Sequence, residues 1–245
     1  MHHNIQLKIE TDYAAMSQEG AKIFAEAIKN HPKGAFGFAT GDTPKGLYKE
    51  LVRMHKEEGL DFSGITTFNL DEYHPINRES EHSYYYFMNK HLFSQVNVDP
   101  SNVFIPDGNA VDPKLESKEY ESKIHSSGGI VMQILGIGLN GHIGFNEPSQ
   151  SFEAHTRHVP LAEMTINSNV KHFSNPDDMP LHAITMGIRT IMMAKHILLL
   201  ANGAAKSSIL RDALLGPVTP LVPASALQLH PSVIVVADKE AAALL

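Results

Sequence analysis

Five apolar runs recur along this chain, separated by stretches with helical spacing, and this alternation restricts the fold more than any other feature. The runs are "GAFGFAT" (34–40), "ITTFNL" (65–70), "IVMQILGI" (130–137), "HILLLANG" (196–203) and "SVIVVAD" (232–238), with a shorter "NVFIP" between the second and third. Each is nearly continuous rather than alternating, the mark of a strand buried on both faces. Strands joined through helices run parallel, so the pattern predicts a parallel sheet with helices on both sides. Helices are expected over 13–29, after "GDTP", over "SYYYFMNKHLFSQV", "PKLESKEYESKIHSS" and "AAKSSILRDALLG", and briefly at the end of the chain. The pattern fades between Pro148 and "HAITMGIRTIMMA". No repeat or linker divides the 245 residues, so residues 1–245 are expected to form a single domain.

The same runs exclude several functions. None approaches the ~20 apolar residues of a membrane span, and the first residues lack the layout of a secretory signal. Without cysteine there is no disulfide or thiolate chemistry, which fits a reducing cytoplasm. A net charge of -7 opposes nucleic-acid binding, which draws its affinity from a basic face. A small anionic substrate needs only one or two placed cations.

Ligands of open parallel sheets bind beyond the carboxyl ends of the strands, and chemically active residues cluster there. After the first run comes "ATGDTPKGLY", a glycine turn entering a helix at Pro44. Free N–H groups at such a helix start suit an anion, with Thr40, Gly41 and Thr43 in the turn. A plain capped helix reads equally well, and the carboxylate of Asp42 would repel an anion. After the second run stand Asp71 and Glu72, either a helix cap or a general base. A carboxylate between an apolar strand and Tyr73 would be desolvated and made more basic. After the third run, "ILGIGLNGHIGFNEP" sets Gly136, Gly138, Gly141 and Gly144 around His142, with Asn140 and Glu147 nearby. Glycine gives a backbone that can approach another group closely. A histidine oriented by an amide or carboxylate is an acid/base unit near neutral pH. Metal binding is the weaker alternative, because the spacing matches no zinc motif. His155, His158, His2 and His3 read as solvated loop and terminal residues. Lys206 falls in the first turn of a helix, where a cation is disfavoured unless an anion lies between it and the helix end.

Together, "ATGDTPKGLY", "TFNLDEY", "SYYYFM", "GIGLNGHIGFNEP" and "PASALQLHP" resemble the glucosamine-6-phosphate deaminase/isomerase family over nearly the whole chain. The resemblance implies a three-layer α/β/α sandwich with a modified Rossmann-like, mostly parallel sheet. It implies conversion of glucosamine 6-phosphate to fructose 6-phosphate and ammonia with no cofactor and no metal. Asp71 would move a proton between C2 and C1, His142 would open the sugar ring, and Glu147 would be its partner. Asn140 would accept the ring N–H and fix its tautomer. Thr40, Gly41, Asp42, Thr43 and Lys206 would form the phosphate site. Lys171 would reach the phosphate from a mobile lid over about 151–179.

The family has related alternatives: a galactosamine-6-phosphate deaminase, a 6-phosphogluconolactonase, or a non-catalytic sugar-phosphate sensor. Asp42 stands where glycine or serine is common. Val159 lies near the position of a lysine that binds an effector phosphate in regulated members, so no N-acetylglucosamine 6-phosphate activation is expected. The chain is expected to act on a small amino-sugar phosphate, in the cytoplasm, as a monomer or homo-oligomer.

Overall fold

The computed structural model describes residues 4–170, 173, 175 and 178–245. Seven strands form one sheet in which every neighbouring pair is parallel. They are β1 (Ile5–Glu10), β2 (Ala35–Phe38), β3 (Thr66–Asn69), β5 (Val103–Phe104), β6 (Ile130–Leu135), β9 (His196–Ala201) and β10 (Val233–Asp238). Their order is β1-β10-β9-β6-β2-β3-β5. Every residue of β2 and β6 is buried, as their unbroken apolar character requires.

Residues on the two faces of β2 and β3 meet different helices. Phe36 and Phe38 pack edge-on against Phe24 of α1 (Tyr13–Asn30). Phe68 belongs to the opposite face, stacking on Phe104 and meeting Tyr120 of α4 (Pro113–Ser126) edge-on. Helix, sheet and helix therefore form the three expected layers. Among the described residues the other α-helices are α2 (Lys45–Glu58), α3 (Tyr84–His91), α5 (Glu163–Asn169), α6 (Ile188–Met192) and α7 (Ser207–Leu215).

The strand order contains a switch point. From β2 the chain adds β3 and then β5 on one side. It returns to β6 on the other side of β2 and continues outward through β9 and β10. The loops leaving β2 and β6 diverge, opening a crevice where they part.

Three features depart from the sequence reading. The edge strand β1 was not anticipated, because "IQLKIE" buries one residue of its six. A second sheet exists, antiparallel and ordered β4-β8-β7, from β4 (Asp71–His74), β8 (His182–Thr185) and β7 (Arg157–Pro160). It occupies part of the stretch where periodicity faded, and has its own small core of Tyr73, Phe145, Val159, Leu161 and Phe173. His158 is consequently a half-buried strand residue, not a solvated one. Its ring stacks on His182 at 4.9 Å and meets His74 edge-on at 4.8 Å. His155 is exposed, whereas His2 and His3 lie outside the described residues. The chain ends in turns instead of a helix.

Leu70 joins the two sheets. Its N–H donates to Phe38 O in the large sheet, and its carbonyl accepts from Met186 N beside the small one. Among the described residues no helix is long and apolar enough to cross a membrane.

Candidate active site

The crevice between β2 and β6 is a pocket of about 640 Å³. Residues 39–45, Asp71, residues 136–139, His142 and Lys206 all border it. The three strand ends separated by up to a hundred residues in sequence are thus one site.

The turn after β2 is held by two tyrosines. Tyr48 on α2 donates its hydroxyl to Ala39 O and accepts from Ala39 N. Tyr13 on α1 donates to Asp42 O and accepts from Gly46 N, a helix-start amide that would otherwise lack a partner. Pro44 caps α2 in place of opening it, and no side chain caps the helix start. Thr43 differs from expectation. Its hydroxyl donates to Asn202 Oδ1 at 2.8 Å, so its proton is aimed at the loop after β9. The charge of Asp42 meets the ammonium of Lys45 at 2.7 Å.

Asp71 and Glu72 separate because adjacent strand residues point to opposite faces. Glu72 accepts from the N–H groups of Tyr73, Tyr84 and Tyr85, each at 2.9 Å, and so caps α3. Asp71 points into the pocket and is only 6% exposed. No described residue donates a hydrogen bond to its carboxylate. Burial, with the adjacent Glu72 adding to it, pushes its pKa up to about 8. Of this acidic pair, Glu72 is therefore the helix cap, while Asp71 is the desolvated carboxylate that the other reading requires.

The glycine loop after β6 serves its histidine directly. A Cβ on Gly138 would lie 2.3 Å from the His142 ring, so no other residue fits beneath it. Gly144 has a φ of +56°, and a Cβ there would crowd Thr185 Oγ1 at 2.9 Å and approach Asp71 Oδ2 at 3.4 Å. Backbone bonds from Gly138 N to His142 O and from Gly141 N to Gly138 O close the loop. Lys206 donates to Ile137 O at 2.6 Å from below. Burial lowers the pKa of that lysine.

Around His142 the partners differ from the sequence expectation. Its Nδ1 lies 3.3 Å from Glu147 Oε2, an ion-pair distance too skewed for a good hydrogen bond. Asn140 does not accept from the ring. Its Oδ1 accepts from the His142 backbone N–H at 3.2 Å, and its amide donates to Glu147 Oε2 at 2.7 Å. The asparagine thus orients the carboxylate rather than the imidazole. Burial would raise the pKa of Glu147, but His142, Thr165 and Asn140 together hold it down to about 2.

Several contributors escaped sequence reading. Thr165 on α5 donates to Glu147 Oε1 at 2.5 Å, tying the glycine loop to the segment after Pro148. Asn146 donates to Ile143 O and Met186 O and accepts from Arg157 on β7. Thr165 carries no local signal, because its partner is 18 residues away. Lys45 could have been found from its i,i+3 spacing to Asp42. Lys171 lies outside the described residues. Among those described, no group of three His, Asp or Glu side chains is placed to hold a metal. A second groove, about 730 Å³ between α1 and α2, shares none of these residues, and its Arg53 is tied to Glu50, Glu57 and Glu58.

The sequence pattern of the family described as glucosamine-6-phosphate isomerases/6-phosphogluconolactonase matches residues 10–235. A glucosamine-6-phosphate deaminase of Clostridium botulinum (strain Loch Maree / Type A3) is 49% identical over 241 residues, covering 98% of this chain and 99% of that protein. One from Alkaliphilus oremlandii (strain OhILAs) is 48% identical over 239 residues, with coverage of 98% and 99%. Among solved structures, a monomeric glucosamine-6-phosphate deaminase superposes with a TM-score of 0.95 at 44% identity, over 98% of this chain and 100% of that one. A 6-phosphogluconolactonase from Trypanosoma cruzi superposes at 0.78 with 21% identity, over 100% and 98%, a likeness of fold alone.

Proposed function

The chain belongs to the glucosamine-6-phosphate isomerase/6-phosphogluconolactonase family, and from that membership we infer its reaction. It is a glucosamine-6-phosphate deaminase, converting D-glucosamine 6-phosphate and water to D-fructose 6-phosphate and ammonia. The observation that carries the chemistry is Asp71, a buried carboxylate with no described donor, bordering the same pocket as His142.

The pyranose must open before its C2 proton becomes acidic. We assign ring opening to His142, which takes the proton of the anomeric hydroxyl and delivers one to the ring oxygen. Glu147, ionised under the hold of Asn140 and Thr165, orients the imidazole and offsets charge as it forms. Asp71 then removes the C2 proton and returns it at C1. Its raised pKa makes it the stronger base for a carbon acid. The double bond moves to C2 and nitrogen, and water hydrolyses the resulting imine to the ketose and ammonia.

The turn of Thr40, Gly41, Asp42 and Thr43, with Lys206, is assigned to the phosphate. The backbone of this turn along the pocket wall and a cation across the pocket support this. The segment 151–179 is assigned as the cover of the bound sugar, supported by Met164, Thr165, Asn169 and Phe173 along the pocket. The test is ammonia release from glucosamine 6-phosphate, run beside galactosamine 6-phosphate and 6-phosphogluconolactone. Turnover fastest with glucosamine 6-phosphate is expected. A faster rate on either rival would replace the assignment.

A further inference from the structure

The two carboxylates assigned to the reaction have opposite surroundings. Glu147 accepts from Asn140 and Thr165 and lies 3.3 Å from His142 Nδ1, and these neighbours hold it ionised. Asp71 has no such support. Beside it on β4 stand Glu72 and Tyr73, Tyr84 and Tyr120 approach from α3 and α4, Thr185 is its partner across the ladder, and Gly144 and His142 come from the loop after β6. Burial keeps the three tyrosines protonated. Lys206 is occupied with Ile137 O. Among the described residues the one charge acting on Asp71 is Glu72, another carboxylate. We propose that the substrate supplies the missing cation: the ammonium on C2 converts buried Asp71 from a carboxylic acid into the base, and Asp71 thereby selects an amino sugar over a sugar with a hydroxyl at C2. The proposal rests on the deaminase reading and gives its base a second, specificity-determining role.

The argument is one of geometry. A carboxyl group that is 6% exposed, without a donor and beside a second carboxylate, keeps its proton at neutral pH and is then no base. Yet a base that takes the C2 proton must come within reach of it, and the nitrogen is bonded to the same carbon. The ammonium therefore enters within ~4–6 Å of Asp71, the range in which an opposite charge lowers a carboxyl pKa by about 1–3. The proton of Asp71 leaves to solvent as the substrate binds, and the carboxylate is vacant when the C2 proton is removed. A sugar phosphate with a hydroxyl at C2 would fill the same pocket and meet His142 equally, but it would leave Asp71 protonated. Glu147 is no rival for the ammonium, because three neighbours already satisfy it and it does not border the pocket.

Two unreactive ligands read this directly. 2-Amino-2-deoxyglucitol 6-phosphate and glucitol 6-phosphate are open-chain alcohols without a carbonyl, and they differ at C2 alone. Calorimetric titration near neutral pH, in two buffers of different ionisation enthalpy, counts the protons released on binding. The amino ligand is expected to release most of one proton more than the hydroxyl ligand and to bind the parent about tenfold more tightly. In Asp71→Asn the difference in release should vanish and the preference should fall below about threefold. In turnover of glucosamine 6-phosphate the acidic limb of kcat, which reports the complex, should lie at least about one pH unit below that of kcat/KM, which reports the free enzyme. Equal proton release by the two ligands, a difference that persists in Asp71→Asn, or coincident acidic limbs would each overturn the proposal. If the chain deaminated no amino-sugar phosphate, the reaction assignment would fall, while the two titrations would still decide whether Asp71 answers to an ammonium.

Discussion

The seven-stranded sheet is parallel, buried on both faces and built mainly from runs that are apolar end to end. The three-stranded sheet is antiparallel, made of four-residue strands, and carries Asp71, His74, Arg157, His158 and His182. Their contributions to the pocket differ accordingly. The large sheet ends in loops that present backbone amides, the histidine and Lys206. The small sheet turns the buried carboxylate of Asp71 to the pocket, at the point where Leu70 joins the two. On this view the large sheet binds and opens the sugar, and the small sheet holds the base that moves its carbon-bound proton. A parallel scaffold with a switch point forms a binding crevice from its topology alone. Desolvating a carboxylate needs further walls, and the second sheet supplies them.

The strongest test of this division is Asp71→Asn. Removing the base should lower kcat roughly 10²- to 10⁴-fold with KM little changed. In the parent enzyme kcat/KM should rise with pH as Asp71 ionises, reaching half its maximum near the pKa of about 8 and levelling above it. Stability should move the other way. The folded pKa of Asp71 lies above its unfolded value, so the folded state binds the extra proton. The stability this gives is complete below the unfolded pKa of about 3.9 and is lost as pH rises through about 8. Asparagine does not titrate. Thermal melts should therefore show Asp71→Asn gaining on the parent across that window, reaching roughly 0.5–2 kcal/mol. A variant that keeps kcat, or gains no stability at alkaline pH, would break the comparison.

The next effect concerns the scaffold alone. Leu199 lies at the centre of the large sheet, fully buried on β9. Leu199→Ala should cost about 2–5 kcal/mol in denaturant unfolding, the range for a buried leucine that leaves a cavity. KM of the folded fraction should stay close to the parent. A large KM change with intact stability would show that the scaffold and the site are less separate than proposed.

Lys206→Ala sharpens the division between binding and proton transfer. A charged hydrogen bond to phosphate contributes roughly 1.5–3 kcal/mol, so KM should rise about 10- to 150-fold. The change in kcat should be far smaller than for Asp71→Asn. Steady-state kinetics that showed equal losses in kcat would place both residues in the same step.

The large sheet was legible because its signal is local. A strand covered on both faces must be apolar throughout, and a loop that passes beneath a histidine ring must contain glycine, as Gly138 shows. The turn after β2, the acidic pair after β3 and the histidine loop after β6 were all visible for that reason. So was the desolvation of Asp71 next to an apolar strand. The family resemblance added the reaction that these residues serve.

What the tertiary structure decided involves partners distant in sequence. "DEYH" becomes a strand because it pairs with residues 182–185, more than a hundred positions later. That pairing and the alternation of strand side chains give Asp71 the pocket and Glu72 the start of α3. Asn140 was expected at the imidazole, yet the loop's closure turns its amide toward Glu147, which Thr165 also binds from α5. Periodicity and glycine report on each segment's own burial and backbone freedom. They do not report which distant segment completes a hydrogen bond or neutralises a charge, because those energies depend on packing that exists only once the chain has folded.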